Sequence, residues 1–211
     1  MNSIKHKNFI TFEGGEGAGK TTHINNLAEF FISLGKEVVI TREPGGTPVS
    51  EILRDIIVKN HNHKISAKTE LAIIISARLN HLENLILPSL EQGKIVLSDR
   101  YIDSTYVYQG ICQGLGVDYV NELHSKILED KFILPNKTFY IDVDVKTGLS
   151  RSSGFDKGED RFENKGIEFH QKIRDGFLKI SENNDRVIII DGSLEIAQVK
   201  ENILEYAKDL I

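Results

Sequence analysis

The stretch "FITFEGGEGAGKTT", Phe9 to Thr22, constrains what this chain can fold into more than any other. It opens as an apolar run, breaks at glycine and closes on Gly19-Lys20-Thr21, so that it matches the pattern G-x-x-x-x-G-K-[ST]. Each residue type has a physical reason. Glycines let successive backbone N–H groups turn toward phosphate oxygens, the lysine reaches the outer phosphates, and Thr21 is placed to ligate Mg²⁺. The pattern needs a strand before it and a helix after it, and the apolar "FITF" and the amphipathic stretch from Lys20 supply both. Gly14, Gly15, Glu16, Gly17, Ala18, Gly19, Lys20, Thr21 and Thr22 are therefore read as an ATP-binding loop. Glu16 is at odds with that reading, since it brings negative charge to a loop whose ligand is an anion.

Four further apolar runs resemble the one before the loop: Glu37–Thr41, Ile95–Ser98, Thr138–Ile141 and Val187–Ile190. They are β-branched or aromatic without polar alternation, as expected of parallel strands covered on both faces. Helical stretches lie between them, at about Lys20–Leu34, Pro48–Lys59, Ser66–Glu91, Asp118–Asp130, Lys146–Ser152, Lys165–Ser181 and Leu194–Ile211. This alternation predicts an α/β fold with a five-stranded parallel sheet flanked by helices. In such sheets ligands bind beyond the carboxyl ends of the strands. Polar residues cluster at those ends: Glu13, Arg42-Glu43, Asp99-Arg100, Asp142 and Asp191. Asp99 is the candidate partner of Thr21 in a Mg²⁺ shell. The segment from Arg151 to Glu163, "RSSGFDKGEDRFE", is charged, holds two glycines and lacks apolar periodicity, and is read as a short mobile lid within a single domain spanning 1–211.

Composition narrows the class. A formal net charge of −5 argues against a nucleic-acid or membrane-surface binder, which would show a basic stripe. The lone cysteine, Cys112, allows no internal disulfide and suits a reducing cytoplasm. No apolar run reaches membrane-spanning length, and the polar start "MNSIKHKN" has no signal-peptide core. His61 and His63 have metal-like spacing but no third ligand nearby in sequence, and read as a polar loop. Cys112 reads as a packing residue.

A phosphate loop alone admits a switch GTPase, a motor ATPase or a small-molecule kinase. The nearest approach to a guanine-reading Asn-Lys-x-Asp signature, "NKTF" at 136–139, lacks the aspartate and runs into a strand. The short chain and charged lid segment favour a kinase. Arg42 and Arg100 follow strands, and Arg78 lies in the long helical stretch. Arginine's planar fork suits bidentate binding of phosphate. An acceptor that is itself a monophosphate, largely ionised at neutral pH, needs such clamps and no general base.

Beyond the loop, the blocks "TREPGGT" at 41–47, "SAR" at 76–78, "SDRYIDSTYVYQG" at 98–110, "YIDV" at 140–143 and "DRFE" at 160–163 closely resemble the bacterial thymidylate kinases. The resemblance runs along nearly the whole chain. It implies the P-loop NTPase fold, transfer of the γ-phosphoryl group of ATP to dTMP, Mg²⁺ as cofactor and a homodimer. It sets Arg42 and Pro44 against the acceptor, Arg100 on the dTMP phosphate and Arg78 at the thymine edge. Ser104, Thr105, Tyr108 and Gln109 border base and sugar. Lys20, Arg100, Arg151 and Arg161 are implied as catalytic, the last two from the lid.

The chain departs from the family pattern in two places. Ile74 stands where relatives often stack an aromatic ring on thymine, which keeps a kinase for another deoxynucleoside monophosphate, such as dUMP, as the alternative, with a nucleotide-dependent switch behind it. The lid segment is sparse in arginine, with only Arg151, Lys157 and Arg161 as cations. The resemblance also resolves the oddity of Glu16: its carboxylate is expected to turn from the cradle toward the acceptor's 3′-hydroxyl. Position 17, an arginine in some relatives, is glycine here, so transition-state charge is expected from the lid.

Overall fold

The computed structural model describes residues 4–59, 64–152, 165–182 and 184–208. Five strands, β1 (Ile4–Glu13), β2 (Val38–Arg42), β3 (Ile95–Asp99), β4 (Ile133–Asp142) and β5 (Val187–Asp191), form one parallel sheet in the order β2-β3-β1-β4-β5. All five expected strands are present. β1 and β4 extend several residues further toward their N-termini than the apolar runs suggested, with a register shift between His6 and Ile10.

Successive residues of the central strands feed opposite faces, as the pleat requires. Ile10, Phe12 and Leu97 pack with Leu27 and Phe31 of helix α1 (Lys20–Ser33) and with Val199 and Ile203 near the C-terminus. Phe9 and Val96 face the other way, onto Leu71 and Ile75 of α3 (Ala67–His81). Both faces are covered, which is why the strands read as unbroken apolar runs.

The remaining helices correct the expectation in detail. α2 spans Pro48–Val58. The stretch expected as one helix over Ser66–Glu91 is three pieces: α3, capped by the Ser66 side chain, a π-helical turn at Leu82–Ile86, and α4 (Leu87–Glu91). Pro88 accounts for the break, because it offers no N–H to the preceding turn and its ring crowds the carbonyl four residues back. A helical segment absent from the sequence reading, α5 (Ile102–Thr105) running into a π-helical stretch at Tyr106–Cys112, follows β3. After it come α6 (Val117–Leu128), α7 (Val145–Ser152), α8 (Ile167–Ser181) and α9 (Ile196–Ala207). α8 and α9 each begin two residues later than expected. Among the described residues no helix is long and apolar enough to cross a membrane.

Candidate active site

Sheet register brings the polar strand ends together. Phe12 pairs with Asp99, and Arg42 with Asp99 from the other side, so the ends of β1, β2 and β3 form one rim. A cleft of about 1190 Å³ opens over it, large enough for two nucleotides. Gly17 to Thr22 and Glu16 line it from the loop after β1, Arg42 and Pro44 from the loop after β2, Ile74 and Arg78 from α3, Asp99 and Arg100 from the end of β3, Ser104, Thr105, Tyr108 and Gln109 from the following helix, and Arg151 from α7. Gly14 and Gly15 lie just behind, where their carbonyls accept hydrogen bonds from Lys20 Nζ at 3.3 and 3.0 Å. The candidate residues that fall in the described segments thus converge on one site. Arg161 and Lys157 lie outside the described residues, as do His61 and His63.

Within the loop, Gly19 adopts a left-handed backbone at the start of α1. Gly17 is also left-handed, with φ 66°, and a Cβ there would lie 1.9 Å from the Gly148 carbonyl oxygen of α7. Glycine at 17 is therefore what lets α7 dock on the loop. From that helix Arg151 Nη1 donates to the Gly192 carbonyl at 3.0 Å, where both residues line the cleft. Burial, followed by Arg100, lowers the Lys20 pKa, while Asp99 and Glu16 act against that shift.

Thr21 Oγ1 lies 3.5 Å from Asp99 Oδ2. Asp99 does not cap α5, whose N-cap position is Tyr101 with no side-chain cap. Two hard oxygen donors leaving most positions to water and phosphate fit Mg²⁺, which dehydrates reluctantly and binds few protein ligands. Among the described residues there is no group of three or more His, Cys, Asp or Glu able to hold a metal by themselves.

At the end of β3, Arg100 has a left-handed backbone, φ 69°. Its Nη1 donates to Ser104 Oγ at 3.2 Å, its Nη2 to Glu16 Oε1 at 3.1 Å, and its guanidinium lies 5.5 Å from the Tyr108 ring centroid. Arg42 sits at the rim and pairs with Glu51 at 2.9 Å; the other Glu51 oxygen accepts Gly46 N–H, so this carboxylate fixes the turn and the arginine together.

Arg78 is buried. Its Nε donates to Glu43 Oε2 at 2.7 Å, its Nη2 to Thr105 Oγ1 at 3.0 Å, and its Nη1 contacts His124 Nε2. His124 donates from Nδ1 to the Val120 carbonyl, which leaves Nε2 as an acceptor, and burial together with Arg78 pushes its pKa down to about 3. It is a neutral support for the arginine. Burial alone would raise Glu43, but Arg78 and His81 hold it below the ordinary carboxylate value. Gln109 donates to buried Glu70 at 2.7 Å.

These carboxylates, Glu13, Glu43, Glu51 and Glu70, were not assigned roles from sequence. A signal existed for two of them: Glu13 and Glu43 stand at strand carboxyl ends. Glu70 had a weaker one, since Glu70, Ile74 and Arg78 are spaced by four and share a helix face.

The comparisons with known proteins agree with this geometry. The thymidylate kinase family model matches residues 12–203. The chain belongs to the thymidylate kinase family. It is 43% identical over 201 residues to the thymidylate kinase of Sulfurihydrogenibium sp. (strain YO3AOP1), covering 95% of this chain and 96% of the relative. It is 45% identical over 187 residues to that of Chlamydia muridarum (strain MoPn / Nigg), covering 88% and 91%. The crystal structure of thymidylate kinase from Ehrlichia chaffeensis matches with a TM-score of 0.75 at 34% identity, over 99% of both chains. As a member of that family the chain is an enzyme, and the cleft is its candidate active site.

Proposed function

We propose that the chain transfers the γ-phosphoryl group of ATP to dTMP, giving dTDP and ADP for dTTP synthesis, as a single nucleoside monophosphate kinase domain with a lid at about 151–163. The observation that carries this reading is the Glu16–Arg100 contact: a residue of the phosphate loop meets the arginine expected on the acceptor phosphate, so one cleft serves both substrates.

In this reading the N–H groups of Gly14 to Thr21 and Lys20 Nζ hold the donor phosphates. Arg100 and Arg42 hold the acceptor phosphate against its repulsion from the donor. Arg78, fixed by Glu43, Thr105 and His124, presents its outer edge to the thymine ring, which rests on Ile74. Thr21 and Asp99 would hold Mg²⁺, which when bound neutralises charge on the donor phosphates. The lid brings Arg151 and Arg161 over the transferring group. Catalysis is then positioning plus stabilisation of charge at the transferring phosphoryl group, with no general base.

A homodimer is supported by exposed apolar residues on two helices that each pack against α3: Val49, Ile52 and Ile56 at helical spacing on α2, and Tyr119 and Ile127 on α6. The single thiol suits a cytoplasmic setting.

A coupled ADP-release assay across dTMP, dUMP, dCMP, dGMP and AMP tests the proposal. Preference for dTMP is expected. Turnover of none would remove the kinase reading, and equal turnover of all would remove the thymine assignment. Comparable dTMP and dUMP turnover would favour the alternative that Ile74 in place of a stacking ring keeps open.

A further inference from the structure

Arg100 can serve as a clamp only if its guanidinium points in one direction, yet it sits on a left-handed backbone that non-glycine residues adopt at a cost. Three hydrogen bonds hold that conformation. Arg100 N–H donates to the Phe12 carbonyl at 2.8 Å, Ser98 Oγ donates to the Arg100 carbonyl at 2.8 Å, and the next N–H, of Tyr101, donates to Glu13 Oε1 at 2.8 Å. Glu13 is fully buried at the end of β1, one residue before the phosphate loop.

The same carboxylate reaches the side chain of the clamp through a hydroxyl. Glu13 Oε1 also accepts Ser104 N–H at 3.2 Å, and Oε2 accepts the Ser104 hydroxyl at 2.6 Å. A serine hydroxyl has one proton and two lone pairs. When Glu13 is ionised the Ser104 proton is committed to it, so Oγ can only accept from the other side, and there Arg100 Nη1 lies at 3.2 Å. Glu13 therefore fixes both the backbone of Arg100 and the polarity of the hydroxyl that orients its guanidinium.

We propose that Glu13 is a positioning residue for the acceptor clamp, acting through Ser104 to aim Arg100 at the acceptor phosphate. This rests on the assignment of Arg100 to that phosphate in the proposed function. A neighbouring buried pair supports the arrangement from behind: Asp103, beside Ser104, is held by Arg186 through Nη1 at 2.8 Å and Nη2 at 2.6 Å, which keeps the segment carrying Ser104 in place.

Glu13→Gln separates this role from mere packing. Glutamine keeps the carbonyl oxygen that accepts the Tyr101 and Ser104 N–H groups. Its amide nitrogen can only donate to Ser104 Oγ, and the displaced hydroxyl proton then faces Arg100, donor against donor. Glu13→Gln, Ser104→Ala and the double variant are assayed against wild type, at a pH well above the Glu13 value of about 7, with whichever nucleoside monophosphate wild type phosphorylates. Failure of dTMP as substrate then refutes the proposed function and not this inference.

We expect Glu13→Gln to lose at least about tenfold in kcat/KM for the acceptor, with KM for ATP within about twofold of wild type. Because the effect runs through one hydroxyl, the double variant loses no more than the worse single variant. Acceptor kcat/KM of Glu13→Gln within twofold of wild type, equal losses for both substrates, or losses that multiply in the double variant would each overturn the proposal. Should Glu13→Gln not fold, Ser104 decides alone: a tenfold acceptor loss in Ser104→Ala with recovery in Ser104→Thr supports the relay, and an unchanged Ser104→Ala refutes it.

Discussion

Glu16 and Arg100 form an ion pair, 3.1 Å from Oε1 to Nη2, across the line where the phosphate loop meets the end of β3. The acid that looked misplaced in an anion-binding loop is thus turned toward a cation, the arginine that the proposed function places on the acceptor phosphate. Both side chains keep contact with water, at 26% and 16% exposure, so the pair contributes little to stability. It ties the phosphate loop to the end of β3, and in the proposed function it sets the spacing between donor loop and acceptor clamp.

Replacing Glu16 by Ala removes that spacing element and leaves the backbone cradle intact. We expect KM for dTMP to rise about tenfold or more, roughly 1.4 kcal/mol of lost binding, while KM for ATP moves little and the melting temperature stays within a few degrees. Steady-state kinetics with each substrate varied in turn checks this; equal shifts in both KM values would place Glu16 on the donor side instead.

Gly148 of α7 faces the loop so closely that an added Cβ would lie 2.5 Å from the Glu16 carbonyl oxygen. Both partners of that contact are backbone, so neither can yield without moving a whole element. Gly148→Ala is expected to lower stability by about 1–3 kcal/mol, the range for overpacking, and to reduce kcat at least about tenfold, because Arg151 rides on the displaced helix. Thermal unfolding and kcat measured on the same preparation test both parts.

The sheet was legible in the sequence because its strands are covered on both faces and lie in short unbroken apolar runs. Ile40 and Ile189 show the limit of that signal: they sit on the edge strands β2 and β5 and are about half exposed, though the runs look as buried as the central ones. The segment Ile102–Cys112 was not legible as helix. Its inward face carries Asp103, Thr105 and Gln109, bound to Arg186, Arg78 and Glu70, so the polar residues that mark a solvent face elsewhere are buried here. The glycine-rich loop and the arginines that line the cleft were legible from local chemistry. The carboxylates that hold the arginines were not, because the bonds join residues 35 apart for Glu43 and Arg78, and 91 apart for Glu13 and Ser104.

Ile74 is almost fully buried, packed with Ile57 and Val58 while still lining the cleft. In the proposed function it offers an aliphatic surface to the base where a ring would add stacking. Ile74→Phe is expected to tighten dTMP by about 3- to 10-fold, matching the roughly 0.5–1.5 kcal/mol of an aromatic pair. The KM ratio of dUMP to dTMP reads whether the ring also sharpens the choice of base. Weaker dTMP binding in this variant would mean that the packing against α2 leaves no room for the ring.

Transition-state charge is assigned to the lid arginines, which yields a test by transplant. Arg161→Ala should lower kcat at least about tenfold, roughly 1.4 kcal/mol. Adding Gly17→Arg to that variant should not restore it, since any side chain at 17 meets the Gly148 carbonyl at 1.9 Å from its first carbon. Recovery of kcat in the double variant would show that the loop can accept an arginine and that α7 moves aside at little cost.

Glu13 also gives the fold a pH signature. Burial, reinforced by Asp103, pushes its pKa up from 4.5 to about 7. The folded chain therefore keeps a proton that the unfolded chain releases earlier, so this stabilisation is full below about 4.5 and is lost as pH rises through about 7. Glu43 and Asp142, whose pKa values are lowered, act oppositely, and their contribution is lost on the acid side as pH falls through their folded-state values. His124, whose pKa is lowered from 6.5 to about 3, opposes Glu13 over much of the same interval, because there the unfolded chain binds a proton that the folded chain refuses. Relative to Glu13→Gln, which cannot titrate, the wild-type melting temperature should lose ground as pH rises from about 4.5 to about 7. Parallel curves for the two proteins would place the slope elsewhere.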